Sequence, residues 1–125
     1  MTSRQRIMKL NQNNQGLAAE SAAVRFLQQQ GLSLVAQNYS CRHGEIDLIM
    51  RDGVTLVFIE VRLRSNQAFA SAADSIDQRK QQKLIRAAQY YLQQHDINCP
   101  CRFDAILFDN THYQSPNWIR NAIDT

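Results

Sequence analysis

Residues 44–64 read GEIDLIMRDGVTLVFIEVRLR, and the fold turns on them. Two strand-like runs, Glu45 to Met50 and Thr55 to Leu63, flank Asp52-Gly53. Asp-Gly between β-rich runs is a strong hairpin signal, because glycine accepts the positive φ of a tight turn. Within the second run, LVFI is continuously apolar, as expected of a strand covered on both faces. Acids nevertheless interrupt both runs: Asp47 in EIDLI and Glu60 at the end of LVFIE. A carboxylate on a buried strand is costly unless a cation or a donor meets it. Side chains alternate along a strand. Glu45, Asp47 and Ile49 therefore share one face of the first run, and Phe58, Glu60 and Arg62 share one face of the second. A hairpin folded on Asp52-Gly53 lets Asp47 and Glu60 converge at the end remote from the turn, although the sequence does not set the register.

Around this stretch, the chain of 125 residues is 44% hydrophobic, which suits one domain with its own core rather than two. The expected organisation is a flexible basic arm over residues 1–14 and a single α/β domain over residues 15–125. A net charge of +3 and a pI near 9.0 suit a nucleic-acid partner, though many unrelated proteins share them. No apolar run nears the roughly 20 residues that span a bilayer. The start, MTSRQRIMKLNQNNQ, lacks the apolar segment of a signal peptide. No membrane partner is expected, and the expected location is the cytoplasm. Three cysteines then read as reduced thiols. Cys99 and Cys101 with His95 lack zinc-knuckle spacing and a second cysteine pair, so zinc is not expected.

Gln15 to Gln30 has helical periodicity, with Leu17, Ala23, Val24 and Leu27 on one arc and Gly31 closing the helix. Glu20 falls in the middle of that arc. It either caps something, reaches water from the edge of the stripe, or points at the same site as Asp47 and Glu60. Leu32 to Tyr39 reads as a strand or an extended lead-in, and Ser40 to His43 as a polar connection. Arg64 to Asp74 has no clear period and reads as a loop following the acidic strand. A second helix follows, capped by Ser75 or Asp77. Leu84, Ala88, Tyr91 and Leu92 form its buried stripe, with Ile85 and Ala87 on the flanks. Arg79, Lys80, Lys83 and Arg86 crowd its first turns, where the helix dipole prefers anions. A polyanion across that end would relieve the conflict; an ordinary solvated face is the alternative. Arg102 to Phe108 reads as a further strand, in which Asp104 pairs with Arg102 or a helix cation. Pro116 to Ile119 starts a last short strand or turn, and Asn121 to Thr125 reads as a tail.

An acid on a helix, an acid on one strand and Glu-x-Arg on the next suit a hard divalent cation such as Mg²⁺ or Mn²⁺. Such an ion polarises a phosphodiester and activates water, and Arg62, facing the same site, could neutralise charge developing on phosphorus. No serine or cysteine stands in a nucleophile motif beside a histidine.

Gly16…Glu20, GEIDLI over residues 44–49, FIEVRLR over 58–64, Lys80, RFD over 102–104 and Asn121-Ala122 together resemble the YraN-like family of bacterial proteins. That family is similar to restriction-endonuclease-like nucleases with the PD-(D/E)xK signature, and among them to archaeal Holliday junction resolvases. The resemblance implies a restriction-endonuclease-like α/β fold, a central mixed sheet flanked by helices. It also implies that Glu20, Asp47 and Glu60 match the metal-binding acids of those enzymes. Ile46 stands where the signature has Pro, and Arg62 where it has Lys. Arginine stays charged and offers a planar fork, so it can brace a phosphate but is a poor proton carrier. Lys80 is a candidate to replace the missing lysine in space.

The expected function is nucleic-acid binding with Mg²⁺-dependent endonuclease chemistry on structured or branched DNA. Asp47, Glu60 and Arg62 are its catalytic candidates, and Arg64, Arg79, Lys80, Lys83 and Arg86 its nucleic-acid contacts. A homodimer is compatible with this reading. Two alternatives stand beside it: a non-catalytic nucleic-acid-binding relative, and a protein–protein adaptor in DNA uptake or repair.

Overall fold

A computed structural model describes residues 14–63, 76–109 and 112–123. The expected basic arm, Arg64 with the loop that follows, and the alternative cap Ser75 lie outside the described residues. Among the described residues the architecture is α/β, with a five-stranded mixed sheet between two helices. The elements are α1 (Asn14–Gln29), β1 (Ser33–Cys41), β2 (Gly44–Asp52), β3 (Thr55–Leu63), α2 (Gln78–Gln94), β4 (Cys101–Phe108) and β5 (Asn117–Ile119). The strands lie side by side in chain order. β1, β2 and β3 form an antiparallel meander, β3 and β4 are parallel, and β5 is antiparallel to β4. A parallel pair needs a long crossover, and α2 lies within it.

Central position explains the apolar run of β3: Leu56, Val57, Phe58 and Ile59 are all at most 1% exposed. Leu56 and Phe58 face a cluster with Leu84, Ala87, Ala88 and Tyr91 of α2, whereas Val57 and Ile59 face Ala19, Ala22, Ala23, Val24 and Leu27 of α1. The helices therefore cover opposite faces of the sheet. Burying each large apolar side chain of this kind stabilises the fold by about 1.5–3 kcal/mol.

Several expectations shift in detail. The β2–β3 turn is Gly53-Val54, one residue later than expected, because Asp52 still pairs with Thr55. Gly53 takes φ 63° while Val54 stays out of the positive region, the pattern of a type II′ turn. The polar connection before β2 is a second two-residue hairpin turn, Arg42-His43, between paired Cys41 and Gly44. Asp77 is the N-cap of α2, its Oδ1 accepting the Lys80 N–H at 2.8 Å. Ala87 is fully buried in the stripe and not on its flank, while Leu92 is only partly buried. On α1 the stripe centres on Ala19, Ala23 and Leu27, which leaves Leu17 half-buried at its edge. Residues 121–123 are no tail: Ala122 N–H donates to Phe103 O at 2.7 Å and Ile123 is buried.

Candidate functional site

The β2–β3 ladder runs from Asp52↔Thr55 to Leu48↔Ile59 and stops there. Asp47 and Glu60 are the next residues on each strand, so the acids do converge at the end remote from the turn. Past this point Asp47 Oδ2 accepts the Val61 N–H at 2.8 Å, a side chain taking the role of a strand carbonyl. The backbone prepares this change. Asn38, in the left-handed region at φ 53°, falls between the pairs Gln37↔Leu48 and Tyr39↔Ile46, opposite Asp47. Strict alternation would put Ile46 with Leu48 and Met50 on the α1 side, yet Ile46 joins Ile49 on the α2 side. One alternation is lost around Asp47, and its carboxylate is left at the opening between β2 and β3.

Glu60 is 5% exposed. Its Oε2 lies 3.1 Å from Arg62 Nε, an ion pair whose N–H does not line up as a hydrogen bond, and 3.3 Å from Lys80 Nζ. Arg62 reaches it because residues two apart share a strand face. Lys80 reaches it from above: at about 100° per residue it shares the arc of Leu84, Ala87 and Tyr91 that faces the sheet. The expected crowd of helix-start cations is therefore divided. Lys80 turns inward to a carboxylate, Asp77 caps the same end, and Arg79, Lys83 and Arg86 are exposed.

Burial raises the pKa of Asp47 above the ordinary carboxylate range, against the pull of the Val61 N–H, of Lys80, and of hydrogen bonds with the Glu20 and Glu60 carboxyls. Burial, and then the Asp47 charge, push Glu60 up to about 7, with Lys80 and Arg62 opposing. α1, β2 and β3 thus each contribute an acid to one neighbourhood, in which the Glu20 and Glu60 carboxyls both interact with that of Asp47. Carboxyls so close cannot all ionise freely; they share a proton or draw in a cation. Among the described residues no three His, Cys, Asp or Glu side chains are grouped so as to hold a metal ion, and the cations paired with Glu60 are Lys80 and Arg62. The donors themselves, all carboxylate oxygens, suit Mg²⁺ or Mn²⁺ better than a soft metal.

Residues 19–108 match the model described as Uncharacterised protein family UPF0102. The chain belongs to the UPF0102 family. It is 53% identical over 111 residues to a UPF0102 protein of Nitrosomonas europaea, covering 89% of this chain and 94% of that one. It is also 53% identical over 112 residues to one of Pseudomonas fluorescens, covering 88% and 92%. One of Neisseria gonorrhoeae is 49% identical over 115 residues, covering 91% and 97%. The YraN-like resemblance of the sequence is thereby borne out as family membership. The matched span includes the acids of α1, β2 and β3 and the Lys80 of this UPF0102 chain.

One feature escaped sequence reasoning, and another was read only in part. Beside the acids, Gly44, Glu45, Lys80, Lys83 and Leu84 line a cleft of about 220 Å³. Gly44 is needed there: at φ 153°, a Cβ on it would stand 3.3 Å from Lys83 Cβ and 3.4 Å from Lys83 O. The signal was Gly44 itself, the first residue of GEIDLI. The other feature is Asp104, which belongs to a separate network on the α1 face. It accepts from Arg102 Nε at 3.1 Å, Trp118 Nε1 at 3.0 Å and Asn121 N–H at 3.0 Å. Arg102 also reaches Asp52 at 3.0 Å. This pairing answers the expected Arg102–Asp104 contact, and it fastens β5 and the following turn to β4. No described helix is long and apolar enough to cross a membrane.

Proposed function

We propose that this UPF0102 chain is a Mg²⁺-dependent nuclease acting on structured or branched DNA in the cytoplasm. One observation carries the reading: Lys80 Nζ lies 3.3 Å from Glu60 Oε2, so a lysine from α2 stands where strand position 62 offers only arginine. The electrostatics support it. With all groups ionised, Glu20, Asp47 and Glu60 against Lys80 and Arg62 leave one net negative charge. A divalent ion reverses that sign and so complements a phosphodiester. Asp47 and Glu60, with Glu20 beside them, would hold the ion, which when bound polarises the phosphodiester and lowers the pKa of the attacking water. Lys80 hydrogen-bonds and orients that water or a phosphate oxygen. Arg62 spreads its fork over the phosphate as charge builds, and Lys83 at the cleft takes the neighbouring phosphate.

The test is single-turnover cleavage of duplex, single-stranded and four-way DNA with Mg²⁺ or Mn²⁺, for wild type and Lys80→Ala. Loss of this cation should slow cleavage about 10²- to 10³-fold while calorimetry still detects the metal. Cleavage untouched by Lys80→Ala would remove the argument.

A second reading, a binding module without turnover, is favoured by one feature: both cations already neutralise Glu60. Salt-sensitive DNA binding without cleavage under any divalent metal would select it.

A further inference from the structure

Tyr90 and Tyr91 are neighbours with different fates. Tyr91 is buried in the core against Tyr39, Phe58 and His95. Tyr90 is half-buried outside that cluster, its ring 5.4 Å from the ring of His43 and tilted 60° to it. At about 100° per residue, Arg79, Lys83, Arg86 and Tyr90 fall within about 60° of one another on α2, a flank distinct from the arc of Lys80. The three cations on this flank are exposed. His43 comes from the Arg42-His43 turn, and exposed Arg42 adds a further cation beside it. The turn is held on the helix by the close approach of Gly44 to Lys83. A basic ridge thus starts at the cleft lined by Lys80 and Lys83 and ends at a ring pair. From Lys80 to Tyr90 is about 15 Å along the helix axis, ten residues at about 1.5 Å each, which is the reach of a few nucleotides.

We propose that the Tyr90–His43 ring pair stacks on an unpaired nucleobase of the strand whose phosphates run along Arg79, Lys83 and Arg86, so that the preferred substrate carries a single-stranded segment beside the carboxylate site. The inference rests on the nucleic-acid reading above and narrows its substrate. Evenly spaced cations along one ridge match a phosphate backbone and do not read sequence. A ring at the end of that ridge can meet a base only where the base is free of a duplex stack, and such stacking tolerates any base.

Two double-stranded DNA probes differing only in a short 3′ or 5′ oligothymidine overhang test this by fluorescence anisotropy at several salt concentrations. A 2-aminopurine in the overhang reports stacking. Wild type and Tyr90→Phe should prefer the overhang probe and quench its 2-aminopurine. Tyr90→Leu should lose on the order of tenfold or more in affinity for that probe alone, with quenching abolished and the salt slope kept. Lys83→Ala with Arg86→Ala should instead weaken both probes and flatten the slope. His43→Leu, in the turn rather than the helix, gives an independent variant if Tyr90→Leu melts early. Equal binding of both probes by wild type, or equal losses on both in the folded ring variants, overturns the stacking platform and leaves the nuclease reading standing. Failure of wild type to bind either probe overturns the nucleic-acid reading, and the platform with it.

Discussion

Arg62 stands where the nuclease signature that this sequence resembles has lysine, and its surroundings set what its substitution does. Its side chain is 37% exposed while its Nε lies 3.1 Å from Glu60, which is buried and also paired with Lys80. Arg62→Ala should therefore leave Glu60 one partner, lower cleavage about 10²- to 10³-fold and change stability little, because half-exposed ion pairs contribute about 1 kcal/mol at most. Arg62→Lys separates two roles. If the site needs only a second cation, single-turnover cleavage of Arg62→Lys stays near wild type; if it needs the planar fork, it falls toward Arg62→Ala. A thermal melt of all three proteins shows that the comparison is made on folded material. Asp47 and Glu60 were legible as candidate site residues because an acid in a greasy strand is anomalous in any fold. The inward turn of Lys80 was legible only in part, since its spacing matches Leu84 and Ala87 while its charge argues for solvent.

The hairpin turn before β2 and the first turns of α2 meet at Gly44. Two constraints coincide there, a φ of 153° and a Cβ position 3.3 Å from Lys83 Cβ. Gly44→Ala should cost about 1–3 kcal/mol, as measured by urea denaturation, and should displace the turn that carries His43. A variant as stable as wild type would mean that turn and helix part easily, and that the cleft between them is not fixed. The β1–β2 hairpin itself was hidden in the sequence. Arg42-His43 has none of the Asn-Gly or Gly-rich character of a tight turn, and the positive φ falls outside the turn, at Asn38 and Gly44. The Asp52-Gly53 signal was visible but misplaced by one residue, because turn chemistry identifies the glycine while cross-strand pairing decides which neighbour joins the ladder. The last residues were misread for a related reason. Asn121 to Ile123 form no regular element, and what holds them is the Asp104 carboxylate accepting from Asn121 N–H, the Phe103 carbonyl accepting from Ala122 N–H, and the burial of Ile123.

For the molecule as a whole, the buried acids make stability depend on pH in a definite direction. Glu60 ionises near 4.5 when unperturbed and at about 7 in the fold, so the folded state holds its proton more tightly than the unfolded chain does. The resulting stabilisation is complete below pH 4.5 and is lost as pH rises through about 7. Without metal, the melting temperature should fall over that window, and Glu60→Gln should flatten the fall. Mg²⁺ or Mn²⁺ competes for the ionised carboxylates, so its stabilisation by mass action should be larger at pH 8 than at pH 6 and should vanish in Asp47→Asn. A metal-induced shift equal at both pH values, or retained in Asp47→Asn, would place the ion elsewhere. By itself the sequence determined the α/β class, the central buried strand, both helices and the anomalous acids, because periodicity and burial leave a local record in residue order. Only the tertiary structure decided the register that sets Asp47 opposite Glu60, the lost alternation that frees Asp47 for Val61, and the approach of Lys80 to Glu60. These depend on how elements far apart in the chain pack, and no local pattern encodes the distance between two side chains that meet across a sheet.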